Sequence, residues 1–295
     1  MTLRDIILEL RPRQWTKNLI VLAAFVFALG DKQQQLSFSM AGTAMMAMIL
    51  FAIISSGIYV WNDICDLELD RAHPVKSRRP VAMGLIPVPA AWIMAITCLV
   101  AGLLGAWFMA PRFGMIVTAY ILLQAAYTLY LKHLLLVDVF VIAIGFVLRA
   151  VGGAVVINVV ISPWLLICTF LMALFLALCK RRHEKRLMDG GQNQNFRPSL
   201  NAGNERLFDQ LIAITAGAVI IAYAVYTQWP ETVAKFKTSH LSLTIPFVVF
   251  GIFRYLYLVY NQEKGDQPES ILLTDLPLLA DIVLFGLGVI AIVVI

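Results

Sequence analysis

Apolar runs of close to twenty residues recur from one end of this chain to the other, and such runs leave few options. A segment inside a bilayer must satisfy every backbone N–H and C=O without water, so a continuous run of about 20 apolar residues crosses as an α-helix. Nine candidate spans lie near 17–30, 40–61, 90–109, 113–131, 136–158, 163–179, 207–227, 243–260 and 276–295. The expected fold is an all-α, polytopic membrane bundle of about nine helices, with residues 1–295 forming one membrane-embedded domain. Composition agrees: only 14% of residues are charged, against about 25% in a soluble domain. Cys65, Cys98, Cys168 and Cys179 sit singly, mostly in apolar runs, and read as small buried hydrophobes. The opening MTLRDIILELRPRQW is acidic as well as basic and lacks the pattern of a cleaved leader.

Lys and Arg set the orientation. With nine spans, eighteen of these cations fall on the side of the amino end and four on the other. The amino end, the polar segment near residue 70 and the loop 180–206 are therefore expected to face the cytoplasm.

The segment WNDICDLELDRAHPVKSRRP, residues 61–80, packs four carboxylates ahead of four cations. If the second span continues as a helix beyond Trp61, Asp63, Asp66 and Asp70 are spaced i, i+3, i+7 and share a face. Asn62 borders that face and Glu68 points elsewhere. Carboxylates so placed repel one another unless a cation intervenes. Mg²⁺ suits them, since it takes one or two carboxylates, keeps water and accepts phosphate oxygens. The plainer alternative is a solvated loop that holds a helix end in water. His73 reads as an ordinary loop residue.

NDICDLELD resembles the N-D-x-x-D-x-x-x-D motif of the UbiA superfamily of intramembrane prenyltransferases, and KSRRPVAMGLI resembles its K-x-R-P-I-x-x-G stretch. The likeness runs along nearly the whole chain. Family prenyltransferases carry a second motif, D-x-x-x-D, after the sixth span. Here that place reads CKRRHE: Lys180, Arg181 and Arg182 stand where aspartates belong, with Glu184 and Asp189 the nearby acids. With LRPRQWTKNLIVLAAFVF, YLKHLLLVDVFVIAIGFVLRAVGGA and GDQPESILLTDLPL, this is similar to the decaprenyl-phosphate phosphoribosyltransferase branch.

That resemblance implies an enzyme of a bacterial inner (plasma) membrane whose site opens to the cytoplasm. It implies Mg²⁺-dependent transfer of 5-phosphoribosyl from phosphoribosyl pyrophosphate (PRPP) to a polyprenyl phosphate lipid, with no nucleic-acid partner. Asp63, Asp66 and Asp70, assisted by Asn62, would hold the metal on the leaving pyrophosphate. Lys17, Arg11, Arg13, Lys76, Arg78, Lys180 and Arg181 are the candidates for the other phosphates, with Glu184 beside them. Tyr127 and Lys132 are expected to reach toward the pyrophosphate, and Arg79 to brace the loop. The sugar would pass through an oxocarbenium-like state. The lipid phosphate, already anionic, would attack C1 without a strong base. Oligomeric state has no signal in the sequence.

Asp138 and Arg149 lie in or near the fifth span, three helical turns apart, on one face but beyond pairing distance. An ionised group at mid-span costs about 2.5–3.5 kcal/mol, so each should line a cavity or meet a partner, such as Asp281 in the last span. AVGGA, residues 150–154, reads as a helix-packing surface. Two rival functions remain: prenyl transfer to an aromatic or other acceptor, and transport. The first expects a second carboxylate pair near 180–189; the second expects charge at mid-depth.

Overall fold

The computed structural model describes residues 1–29, 38–73, 75–189, 203–261, 271 and 274–294. Lys32, Arg197 and Lys264 of the charge count, and much of the 265–278 stretch, lie outside them. Every regular element among the described residues is helical. α1 (Leu3–Glu9) leads to a 3₁₀ segment (Pro12–Leu22), α2 (Ala23–Ala28), α3 (Phe38–Cys65) and a short α4 (Leu67–Arg71). Then come α5 (Val88–Met109), α6 (Pro111–Leu129), α7 (Val137–Val156), α8 (Pro163–Asp189), α9 (Glu205–Gln228), α10 (Pro230–Phe236), α11 (Ile245–Asn261) and α12 (Leu276–Val294).

Eight of these helices are long and apolar enough to cross a membrane. They coincide with eight of the nine candidate spans, with α8 running on through the cationic stretch to Asp189. The first candidate, 17–30, is the exception: Pro12–Leu22 winds as 3₁₀ and only Ala23–Ala28 as α. A 3₁₀ helix rises about 2.0 Å per residue, so Pro12–Ala28 still reaches roughly 30 Å, a hydrocarbon core's thickness. Side chains three apart stack in such a helix. Asn18, Val21 and Ala24 accordingly form a fully buried row, extended by Trp15, which donates to the Ser56 hydroxyl at 2.9 Å.

On α3 the buried residues Ala44, Ala47, Phe51, Ile54 and Ile58 recur at three- and four-residue intervals, while Met45, Met46 and Ile49 are exposed. That stripe is the helical period of an inward face. It packs with Val21, Phe113, Val117 and Ala154 in an amino-terminal core. A second core gathers Val139, Phe175, Phe208, Ile212, Tyr255 and Leu258 from α7, α8, α9 and α11. α7 contributes to both and is the hub. There the 150–154 stretch packs as expected: a Cβ on Gly153 would run into the Val21 carbonyl oxygen. Exposed Phe108, Val160 and Ile93 suit a lipid-facing surface. The chain is an integral, multi-pass membrane protein.

Candidate active site

α3 stays helical to Cys65, so Asn62 and Asp63 project from its last turn. The chain bends at Asp66 (φ −97°, ψ 11°) and resumes as α4, which carries Asp70. Helical bonds still run through the bend, from Asp66 N to the Asn62 carbonyl and from Asp70 N to the Asp66 carbonyl, and it is by their partners that the three aspartates fall into two groups. Asp63 is buried and takes the Arg11 guanidinium on one oxygen and Arg79 Nη1 at 2.9 Å on the other. Arg79 Nη1 also binds Asp70 Oδ2, tying these two carboxylates together. Asp66 faces elsewhere: Oδ1 accepts from Lys132 Nζ at 2.5 Å and Oδ2 from Asn62 Nδ2 at 3.0 Å. Burial pushes the Asp70 carboxyl above its ordinary range, with Arg79 opposing.

The loop after α4 is built to aim Arg79. The Pro80 carbonyl accepts from Leu85 N at 2.9 Å and Ile86 N at 3.3 Å, and Gly84 takes a φ of 74° that favours glycine. Val81 and Ile86 pack with Val60, Ala91 and Ala95. Val81 N–H donates to Glu9 Oε2 at 3.3 Å, which pins the loop to α1. Glu9 is buried, and burial together with the Asp63 carboxylate pushes its carboxyl up to about 7. His73 Nδ1 accepts from Val75 N and Lys76 N, both at 3.2 Å, a loop-shaping role as expected.

A second cluster lies at the cationic, carboxyl-terminal end of α8. Arg181 is buried and donates to Asp138 Oδ2 at 2.5 Å, to Glu184 one turn on, and to the Tyr127 hydroxyl at 3.5 Å. The connection from α6 to α7 links the clusters: Tyr127 and Asp138 flank it and meet Arg181, while Lys132 within it reaches Asp66. Arg149 is elsewhere, buried in the bundle. It bonds Asn18, Ser55, Tyr120 and the Gly145 carbonyl, not Asp281; the neutral partners lie on helices packed closer to α7.

Arg13 and Arg78 are exposed and form no ion pair among the described residues, while Lys17, Lys76 and Lys180 are half-buried. Arg79 does more than brace the loop, since it binds both Asp63 and Asp70, and Glu9, which no motif marks, joins it at the site. Arg79's place before Pro80 was its only local signal. Also unforeseen is Arg182, which ties α8 to α9 through Asp209 at 2.5 Å and Glu205 at 2.9 Å and stacks over Tyr260 on α11.

Among the described residues no three His, Cys, Asp or Glu side chains gather closely enough to hold one ion. Magnesium does not require three, since one or two carboxylates with water and phosphate oxygens suffice. The hard oxygen donors of Asp63 and Asp70, drawn to a common guanidinium, fit that demand, as do those of Asp66 and Asn62.

Residues 19–274 match the UbiA prenyltransferase family. The chain is 32% identical over 271 residues to a decaprenyl-phosphate phosphoribosyltransferase of Mycobacterium tuberculosis, covering 92% of this chain and 88% of that protein. It is likewise 32% identical over 276 residues to a protein of the same name from Corynebacterium glutamicum, at 90% and 80% coverage. Its fold superimposes on a UbiA homolog from Archaeoglobus fulgidus bound to GPP and Mg²⁺ with a TM-score of 0.71, at 17% identity over 97% of this chain and 98% of that one.

Proposed function

Because this chain belongs to the UbiA prenyltransferase family, we propose that it is the phosphoribosyl-transferring kind of member. It moves a 5-phosphoribosyl group from PRPP to a polyprenyl (decaprenyl-type) monophosphate and releases pyrophosphate. The observation that carries this reading is Arg181, a buried cation held by Asp138 and Glu184 where a family prenyltransferase has its second aspartate motif. The names of its 32%-identical relatives support the same reading.

Asp63, Asp70 and Asp66, with Asn62, are the residues that would hold magnesium. When bound, the ion supplies Lewis-acid relief of the charge that builds on departing pyrophosphate. Arg11, Arg79 and Lys132 now neutralise these carboxylates; they are the cations that turn to phosphate oxygens when the donor enters. Guanidinium and ammonium groups are suited to that exchange. The C1–O bond to pyrophosphate breaks, and a lipid phosphate oxygen forms the new bond to C1. The lipid phosphate is already anionic, so no residue here need act as a strong base. The site opens to the cytoplasm of a bacterial inner membrane, the side that carries most Lys and Arg.

The test is incubation of the purified protein in lipid nanodiscs with ribose-labelled PRPP, Mg²⁺ and decaprenyl phosphate. Label is expected in the organic phase, with pyrophosphate released in equal amount. Absence of such transfer, with alkylation of an aromatic acceptor by polyprenyl diphosphate instead, would assign the chain to the prenyl-transferring kind.

A further inference from the structure

Five Lys or Arg residues are buried among the described residues: Lys132, Arg149, Arg181, Arg182 and Lys185. Four of them hold a carboxylate, namely Asp66, Asp138 with Glu184, Asp209 with Glu205, and Asp189. Arg149 does not. Its Nε donates to Asn18 Oδ1 at 2.9 Å, Nη1 to the Gly145 carbonyl at 3.2 Å, and Nη2 to the Tyr120 hydroxyl at 2.5 Å and the Ser55 hydroxyl at 3.5 Å. Every acceptor is neutral. A guanidinium cannot shed its proton, so the charge stays enclosed in the bundle without a counter-ion.

A second observation sits on the same residues. Asn18 has no exposed surface, and its Nδ2 finds no acceptor among the described residues. The amide cannot simply turn over, because Oδ1 already accepts from Arg149 and from the Ser55 hydroxyl at 3.3 Å. A surplus positive charge and a surplus donor therefore meet at one point. A buried polar group left so is costly, and one species answers both needs: an anion rich in acceptor oxygens.

The position fits a substrate group. Asp63, Tyr59 and Ser55 follow at four-residue intervals on one face of α3, which sets Ser55 about 12 Å from Asp63 along the axis. Arg11, paired with Asp63, also lies over the Tyr59 ring at 5.3 Å. A polar track thus leads from the aspartates to the guanidinium that holds no carboxylate. Building on the transferase reading, we propose that Arg149 and Asn18, with Ser55 and Tyr120, bind a phosphate monoester dianion. Two groups share that chemistry, the 5-phosphate of the sugar donor and the phosphate of the lipid acceptor.

The purified protein in detergent is titrated with ribose 5-phosphate and, separately, with farnesyl monophosphate, followed by ligand-induced thermal shift; ribose and farnesol are the controls. At least one monoester is expected to bind. Asn18→Asp, which supplies an internal counter-ion and preserves the fold, is expected to weaken that binding by at least about tenfold, and Arg149→Met to do the same. Loss confined to ribose 5-phosphate assigns the sugar phosphate; loss confined to farnesyl monophosphate assigns the lipid. Neither monoester binding the native protein, or both variants binding as tightly as it does, overturns the site. Asp66→Ala is expected to abolish transfer but keep monoester binding. Monoester binding that depends on Asn18 in a protein without transferase activity would retain this site and remove the transferase reading.

Discussion

Arg79 shows how much of the site depends on single side chains meeting from distant parts of the chain. It bridges Asp63 and Asp70, yet in the sequence it is one of four cations in a short run, and nothing local says which one turns inward. The Pro80 turn and the Val81–Glu9 bond decide that, and Glu9 lies 72 residues from Val81, outside the motif itself. The aspartates were legible because acidic clusters are rare in an apolar chain, whereas Lys132 stood out only through the family resemblance. Arg149's partners were not, because Asn18, Ser55 and Tyr120 carry no charge to attract notice. Asp66→Asn removes the charge that faces Lys132 and is expected to lower kcat by about 10²-fold or more, read from initial rates at saturating substrates. Glu9→Gln keeps an acceptor for Val81 N–H, whereas Glu9→Ala orphans it and is expected to cost about 1–3 kcal/mol, read by thermal denaturation in detergent.

Helices were the most legible level, since a run of apolar residues of membrane length has one stable solution. The Pro12–Leu22 segment departed from that rule because its first half, PRQWTKN, is polar. Its residues are held by side-chain bonds from Trp15 and Asn18 to α3 rather than by a uniformly apolar surface. Close approach to α7 completes the seat. Gly153→Ala would drive a methyl into the Val21 carbonyl, and overpacking of this kind costs about 1–3 kcal/mol. Gly217 on α9 has nothing within 4 Å of the same added atom, so Gly217→Ala is expected to be neutral or slightly stabilising. Melting both variants beside the parent protein separates backbone approach from helix propensity.

For the whole molecule, two apolar cores meet on α7, and the charged clusters crowd the end where α3, α4 and α8 carry their polar residues. That asymmetry was readable as the count of Lys and Arg on either side, though which carboxylate each cation would meet was not. By the positive-inside rule it predicts an orientation that native thiols can report. Cys65 is exposed beside the aspartates, whereas Cys179 is buried. A membrane-impermeant maleimide is expected to label Cys65 in inside-out vesicles and to spare it in right-side-out ones; the reverse pattern would invert the topology.

In the transferase reading the sugar carbon, not the isoprenoid carbon, changes partners in this site. PRPP carrying ¹⁸O in the C1–O–P bridge tests it directly, with decaprenyl phosphate and Mg²⁺ present and the released pyrophosphate weighed by mass spectrometry. The heavy oxygen is expected to leave with pyrophosphate, and chelation of Mg²⁺ or Asp63→Ala to suppress its appearance. Heavy oxygen retained on the sugar, or pyrophosphate arising instead from a polyprenyl diphosphate, would contradict it.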